Sequence, residues 1–408
     1  MFIGCLLFIL LLIPSESAAS NSALDLKLNK IIEVYNLVPC ERSESGPRSE
    51  LGEKFFKSKE LSGNRDISCE TCHIDEQAFA DGLPIAVGVG GEGESVIRLS
   101  HGGGALVQRN AFTLFERGNS QFRGFFWDGK VESLDDTTYS PFGDRASLGF
   151  NSPLSVAAIL PLTERDEFLG PYSLIRDNDL QAAVGDTLYQ DRYVALSKAI
   201  RERVWADVEL ARATAASGVT YDSFELADIG NAIADFIQSE FSCPESKWND
   251  FLSGDSSALS EVEKKGAVSF FGAARCAGCH SPPLFSDFKY HGIGTPQGEF
   301  GPQSRARDLG RASVTNLSKD MYLFRTPPLI AVSKTAPYGH NGVFPTLESV
   351  VLHHVNPVAF FLKNPDYNKG GELLRLGRYI DSRSKKLRYI EISSVEKLAA
   401  ITAFLETL

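Results

Sequence analysis

The sequence predicts a mainly α protein of two domains, and three observations carry that prediction. The pattern Cys-x-x-Cys-His occurs twice, at Cys69-Glu70-Thr71-Cys72-His73 and Cys276-Ala277-Gly278-Cys279-His280. Apolar residues recur at helical spacing before and after both copies, and few segments alternate as strands do. A chain of 408 residues also exceeds what one hydrophobic core usually serves. Each pentapeptide is the attachment pattern for c-type haem: two thiols add to the porphyrin vinyl groups and the adjacent His reaches the iron. Zinc or redox sites are the competing reading, but zinc wants a second Cys or His pair nearby and neither copy has one. Helix, motif and late helix, repeated, is the plan of a cytochrome c fold in duplicate. The expected fold is therefore two cytochrome c-like domains with long loops, each around one covalently bound haem c.

The elements follow in chain order. Met1 to Pro14 is an almost unbroken apolar run followed by small residues, which reads as a cleaved signal peptide at residues 1–19. An uncleaved anchor is the alternative, because no Lys or Arg precedes the run. Export fits haem c attachment, so a periplasmic protein is expected. Residues 20–245 read as the first haem domain and 246–408 as the second, divided at the polar stretch Ser242 to Asn249. Glu50 to Lys59 is a short helix leading towards Cys69, and Leu226 to Ile237 is apolar at helical spacing. Ser257 to Phe271 opens with Ser and acidic residues, as helix N-termini do, and stops at Gly272. Val395 to Leu408 closes the chain as an amphipathic helix. Val87–Gly104, Ser140–Pro153 and Ser281–Gly310 are Gly- and Pro-rich and read as loops, either functional or disordered.

The formal net charge of −11 argues against a nucleic-acid partner and suits a basic small electron donor. Of 7 cysteines, Cys5 leaves with the signal and four hold haem. Cys40 and Cys243 remain, either as a disulfide in an oxidising compartment or as one buried and one surface thiol.

Further blocks carry a family resemblance: Phe79-Ala80-Asp81-Gly82, Arg109-Asn110-Ala111, Phe126-Trp127-Asp128-Gly129-Lys130, Phe271-Gly272, Thr335-Ala336-Pro337-Tyr338-Gly339-His340-Asn341-Gly342 and Thr346-Leu347-Glu348. In this order and spacing the chain resembles the bacterial dihaem cytochrome c peroxidase and MauG-like family over most of its length. The resemblance implies an exported peroxidase that reduces hydrogen peroxide with electrons from a small cytochrome c or cupredoxin. It also implies that Trp127 carries electrons between the haems, that Asn110, Thr335 and Pro337 ligate an interdomain calcium ion, and that the chain pairs as a homodimer. Glu167 matches the family's catalytic glutamate; peroxide cleavage needs a group that takes a proton from one oxygen and returns it to the other. Glu164 and Asp166 beside it leave a solvated acidic turn as the bland reading.

His101 lies within one position of the distal histidine that many members place on the peroxidatic haem, and Gly102-Gly103-Gly104 would let it swing; a solvent-exposed loop histidine is the alternative. The second haem departs from the pattern. Where the family has Met or Tyr as sixth ligand, this chain has His354, with His353, Tyr322, Met321 or an open site as alternatives. The glutamine often found beside the catalytic carboxylate is replaced, by Ala157 or Thr137 depending on alignment. His340 falls in a family block and is expected near the haem interface; His291 has no assigned role. Two other readings stay open: a MauG-like oxidase that modifies a partner protein, and a dihaem carrier with both irons closed.

Overall fold

The computed structural model describes residues 16–143, 148–170, 178–185, 187, 189–297, 307–363 and 372–408. The apolar run Met1–Pro14 lies outside them, and no helix among them is long and apolar enough to cross a membrane. Helices dominate. The strands among the described residues form a three-stranded antiparallel sheet (Gly124–Phe125, Val131–Leu134, Thr137–Tyr139) and a two-stranded one (Tyr290–His291 with Phe324–Arg325).

One packing solution occurs twice. Helix Ser49–Lys57 crosses helix Leu226–Glu240 in the first half, and Glu261–Phe271 crosses Val395–Leu405 in the second. Each crossing turns on a glycine. A β-carbon on Gly52 would stand 2.0 Å from the Ala232 carbonyl oxygen, and one on Gly266 would stand 1.9 Å from that of Ala400. No side chain is compatible with backbones this close. Phenylalanines follow each glycine and lock the crossing, Phe56 against Phe236 and Phe270 against Phe404, each with ring centroids 5.3 Å apart. The expected helices differ from the observed ones only at their ends. Ser260 rather than Ser257 opens the third, because Ser260 and Glu263 exchange side-chain and backbone hydrogen bonds in a capping box.

Two hydrophobic clusters surround these crossings. The first also takes Leu196, Ile200 and Val204 from helix Tyr189–Ala206. The second contains Trp248, Phe270, Ile401 and Phe404, and also Leu28. This last residue corrects the expected division of the chain. Helix Glu16–Tyr35 packs on Glu261–Phe271 and its Asp25 pairs with Lys264 at 2.7 Å, so residues assigned to the first domain help build the second core. Periodicity reveals that a helix has a buried face but not what covers it. Cys40 and Cys243 form a disulfide with Cα atoms 5.4 Å apart, tying this N-terminal segment to the stretch between the halves.

A second correction concerns 87–104, read as loop. It contains the helix Ser95–His101. Arg98 on that helix is buried and donates to the carbonyls of Val87, Gly88 and Gly93, so one guanidinium gathers the surrounding turns.

Candidate active site

The two Cys-x-x-Cys-His motifs are built alike. Each opens in a single helical turn, and each histidine donates from Nδ1 to a phenylalanine carbonyl: His73 to Phe79 at 2.7 Å, His280 to Phe285 at 3.0 Å. Both phenylalanines hold left-handed backbone conformations, φ 60° and 52°. The bond fixes the tautomer and leaves Nε2 to bind a metal. Burial pushes both imidazoles down to about 4, so they stay neutral. Burial also pushes the thiols of Cys69 and Cys276 up to about 12, and that of Cys72 higher still. Before each motif opens a cavity, about 910 Å³ at the first and about 400 Å³ at the second, the range of buried cofactor sites. The residues therefore fit one covalently held haem at each.

The first cavity is polar on the side that carries Glu167. Glu167 sits in a single π-helical turn, Arg165–Leu169, a form that is rare and frequent at functional sites. Burial raises its carboxyl to about 7; Lys130 opposes the shift and Glu164 adds to it. Lys130 Nζ pairs with Glu164 Oε1 at 2.8 Å and lies 4.5 Å over the Phe126 ring. The turn is seated on Gly88, where a β-carbon would stand 1.8 Å from the Asp166 carbonyl oxygen, and Val89 N donates to Glu167 O at 3.0 Å.

Trp127 lines both cavities. Its indole N–H donates to Asn110 O at 3.0 Å, and its own carbonyl accepts from Arg325 N at 2.8 Å. The second half clamps this loop with two arginines. Arg325 Nε donates to Phe126 O at 2.9 Å, and Arg311 reaches the carbonyls of Asp128 and Gly129 as well as Glu132. Arg109 pairs with Asp128 at 2.6 Å and with the fully buried Asp308 at 2.7 Å, adding a third link. His340 stacks on Phe324 at 3.7 Å and meets Trp127 edge-on.

At the second cavity, His354 is among the lining residues and His353, Tyr322 and Met321 are not. His354 Nδ1 bonds Val350 O at 2.7 Å, which leaves Nε2 available. His353, one residue earlier on the same helix, points away into Phe344 and Phe360. Tyr322 packs on Tyr379.

Not every expected residue lines a cavity, although Asn110, Thr335 and Pro337 all border the second. His101 is exposed at the end of its helix, bonded to Ile97 O at 3.0 Å, and does not line the first cavity. The helix through Arg98 holds it outward. Asn110 Nδ2 donates to Leu83 O at 2.6 Å and to Pro337 O at 3.3 Å, joining the halves; Thr335 Oγ1 donates to Val332 O. Ala157 is buried in the first core and Thr137 lies on a strand, neither at the cavity, but Gln108 lines it. Its position beside Arg109-Asn110 was the available signal for a glutamine at this cavity. His291 bonds Asp287 Oδ2 at 3.0 Å and lines the second cavity. Asp287 and Asp81 each stand two residues after the phenylalanine that holds the proximal histidine, a repeat that alignment of the two motifs would have exposed.

Residues 47–257, just over half of the chain, match a family described as di-haem cytochrome c peroxidase. Cytochrome-c peroxidase IdrP2 of Denitromonas iodatirespirans is 25% identical over 89% of this chain and 86% of its own. The methylamine utilization protein MauG of Methylorubrum extorquens is 26% identical over 88% and 77%. The diheme peroxidase BthA of Burkholderia thailandensis shares the fold, with a TM-score of 0.62 and 19% identity over 90% of this chain and 86% of that one.

Proposed function

Because the chain belongs to the di-haem cytochrome c peroxidase family of oxidoreductases, we propose that it reduces hydrogen peroxide to two waters, with electrons from a small redox protein received at the second cavity and passed through Trp127 to the first. The observation that carries this reading is the lining: Trp127 borders both cavities, Glu167 only the first and His354 only the second. Haem held by Cys69, Cys72 and His73, and by Cys276, Cys279 and His280, supplies electron storage and cleavage of the peroxide O–O bond.

The protein's own groups do the rest. Glu167 takes a proton from one peroxide oxygen and delivers it to the other, and a carboxyl near 7 serves both halves of that transfer. Lys130 keeps burial from raising Glu167 further. Trp127, immobilised by the Arg325 and Arg311 clamp, shortens the gap between the two cofactors. His354 would bind the iron of the second haem, and a histidine there would give a lower potential than methionine. His101 stands clear of the first cavity, so peroxide reaches Glu167 with no histidine to displace.

Asn110, Thr335 and Pro337 would hold a calcium ion between the halves. In support, the Asn110 amide lies beside the carbonyls of Leu83 and Pro337, the hard oxygens calcium takes. Periplasmic export by the segment 1–19 is supported by haem c attachment and by the Cys40–Cys243 disulfide, which belongs to an oxidising compartment. The halves act as two haem units meeting near Ser242–Asn249, with helix Glu16–Tyr35 reassigned to the second.

A MauG-like oxidase is the second reading, favoured by the absence of Met at position 354. Holo-protein given peroxide and a reduced small cytochrome separates the two. Two cytochromes oxidised per peroxide, over many turnovers, is expected; peroxide-driven spectral change without cytochrome turnover overturns the peroxidase reading in favour of the oxidase.

A further inference from the structure

The rim of the second cavity carries charge opposite to that of the chain as a whole. Against a net charge of −11, residues 383–388 bring together Arg383, Lys385, Lys386 and Arg388, with acidic residues only at the flanks, Asp381 and Glu391. The 3-10 turn Lys385–Tyr389 borders the cavity through Lys386, Leu387 and Tyr389. Lys385 and Arg388 are exposed, and Tyr389 is 63% exposed. Exposed Arg275, adjacent to Cys276, sets its guanidinium 5.6 Å over the Tyr389 ring. Lys386 Nζ donates to Gly278 O at 2.9 Å, so the basic turn is fastened to the haem-attachment loop itself. The carboxylate on this side, Asp287, is already engaged by His291, Thr326 and Lys386.

We infer that this rim is the docking surface for an acidic electron-transfer protein. The inference rests on the second cavity being the electron port. It reverses what net charge alone suggests, for a physical reason. Fields of exposed charges fade over a Debye length of about 8 Å in physiological salt, so a partner settling on this rim meets the local cations and not the distant acidic surface. Clustered charge steers encounter and sets orientation. An aromatic with an apolar face and a polar tip, Tyr389, offers a contact that does not demand a dry interface.

The test uses the holo-protein and the double variant Lys385→Glu/Arg388→Glu, two residues outside the cavity lining. Binding to an acidic c-type cytochrome and to a basic one is measured by calorimetry at low and high salt. The wild type is expected to bind the acidic cytochrome at least about tenfold more tightly at low salt, with the preference lost near 0.5 M, and the double variant to lose about tenfold in that affinity. Preference for the basic cytochrome, or unchanged affinity in the variant, overturns the inference. So does retention on phosphatidylglycerol vesicles without binding of the acidic cytochrome, which assigns the rim to a membrane surface. Peroxide turnover with a small-molecule reductant is followed in parallel. Its absence in the wild type sinks the peroxidase reading and leaves the binding result to stand alone.

Discussion

The two haem cavities share one wall and differ in the other. Their proximal sides are copies: a motif in a single helical turn, an imidazole pinned through Nδ1 to a left-handed phenylalanine, and a glycine-centred helix crossing behind. Elsewhere in the lining, the first cavity presents Glu167 on an irregular π turn with Glu164 and Lys130 beside it, and the second presents His354 on a regular helix. On the function proposed above, duplicated scaffolding would support two chemistries: a proton-handling site that leaves room for a small molecule, and a coordinated site that moves only electrons. The difference lies in one irregular turn and one helix, not in the halves as a whole.

Breaking the first wall should have the largest effect. Glu167→Gln removes the proton carrier and is expected to lower the peroxide rate constant by about 10²–10⁴-fold. In the wild type the carboxylate form must accept the proton, so the rate should fall as pH drops through about 7. Stopped-flow rates across pH 5–9 check both points; a rate for Glu167→Gln with the same acid limb as the wild type removes Glu167 from this role.

Sharpening the second wall comes next. His354→Met is expected to raise the potential of the second haem by on the order of 100 mV, within the roughly 0.8 V range that axial ligands span, and to leave the first unchanged. A spectroelectrochemical titration that resolves both haems reads this directly. An unmoved second potential means His354 is not the ligand.

A smaller effect tests how the irregular turn is seated. Gly88→Ala places a methyl group against the Asp166 carbonyl and should cost about 1–3 kcal/mol by overpacking. Peroxide turnover should suffer more than the potential of the second haem. Denaturant melts together with both functional assays tell a local shift from global damage. The mildest probe addresses the shared wall: Gly52→Ala and Gly266→Ala should destabilise by similar amounts, about 1–3 kcal/mol each, if the crossings are equivalent. Unequal melting losses would show that one half tolerates a wider crossing.

Much of this was legible along the chain. Both attachment motifs and the four helices around them announce themselves by contiguous residues, because covalent attachment and helical periodicity are local constraints, whereas Trp127 and Glu167 are singled out only by resemblance to a known family. Cys40 and Cys243 could be named as candidates by elimination, yet their pairing depends on a distance between segments far apart in sequence. The same holds for Leu28 and Asp25, whose helix joins the second core, and for His101, turned outward by the buried Arg98. His354 was one of several candidates until the fold brought it, and not His353, to the cavity. Gln108 was overlooked although it adjoins the Arg109-Asn110 block, and the basic rim because it sits in no pattern that spacing alone reveals. Sequence determined which groups could bind haem, carry a proton or make a helix, since those follow from residue type and near neighbours. Tertiary structure alone decided which of them share a cavity and which face water, because burial and approach depend on long-range packing that no local pattern encodes.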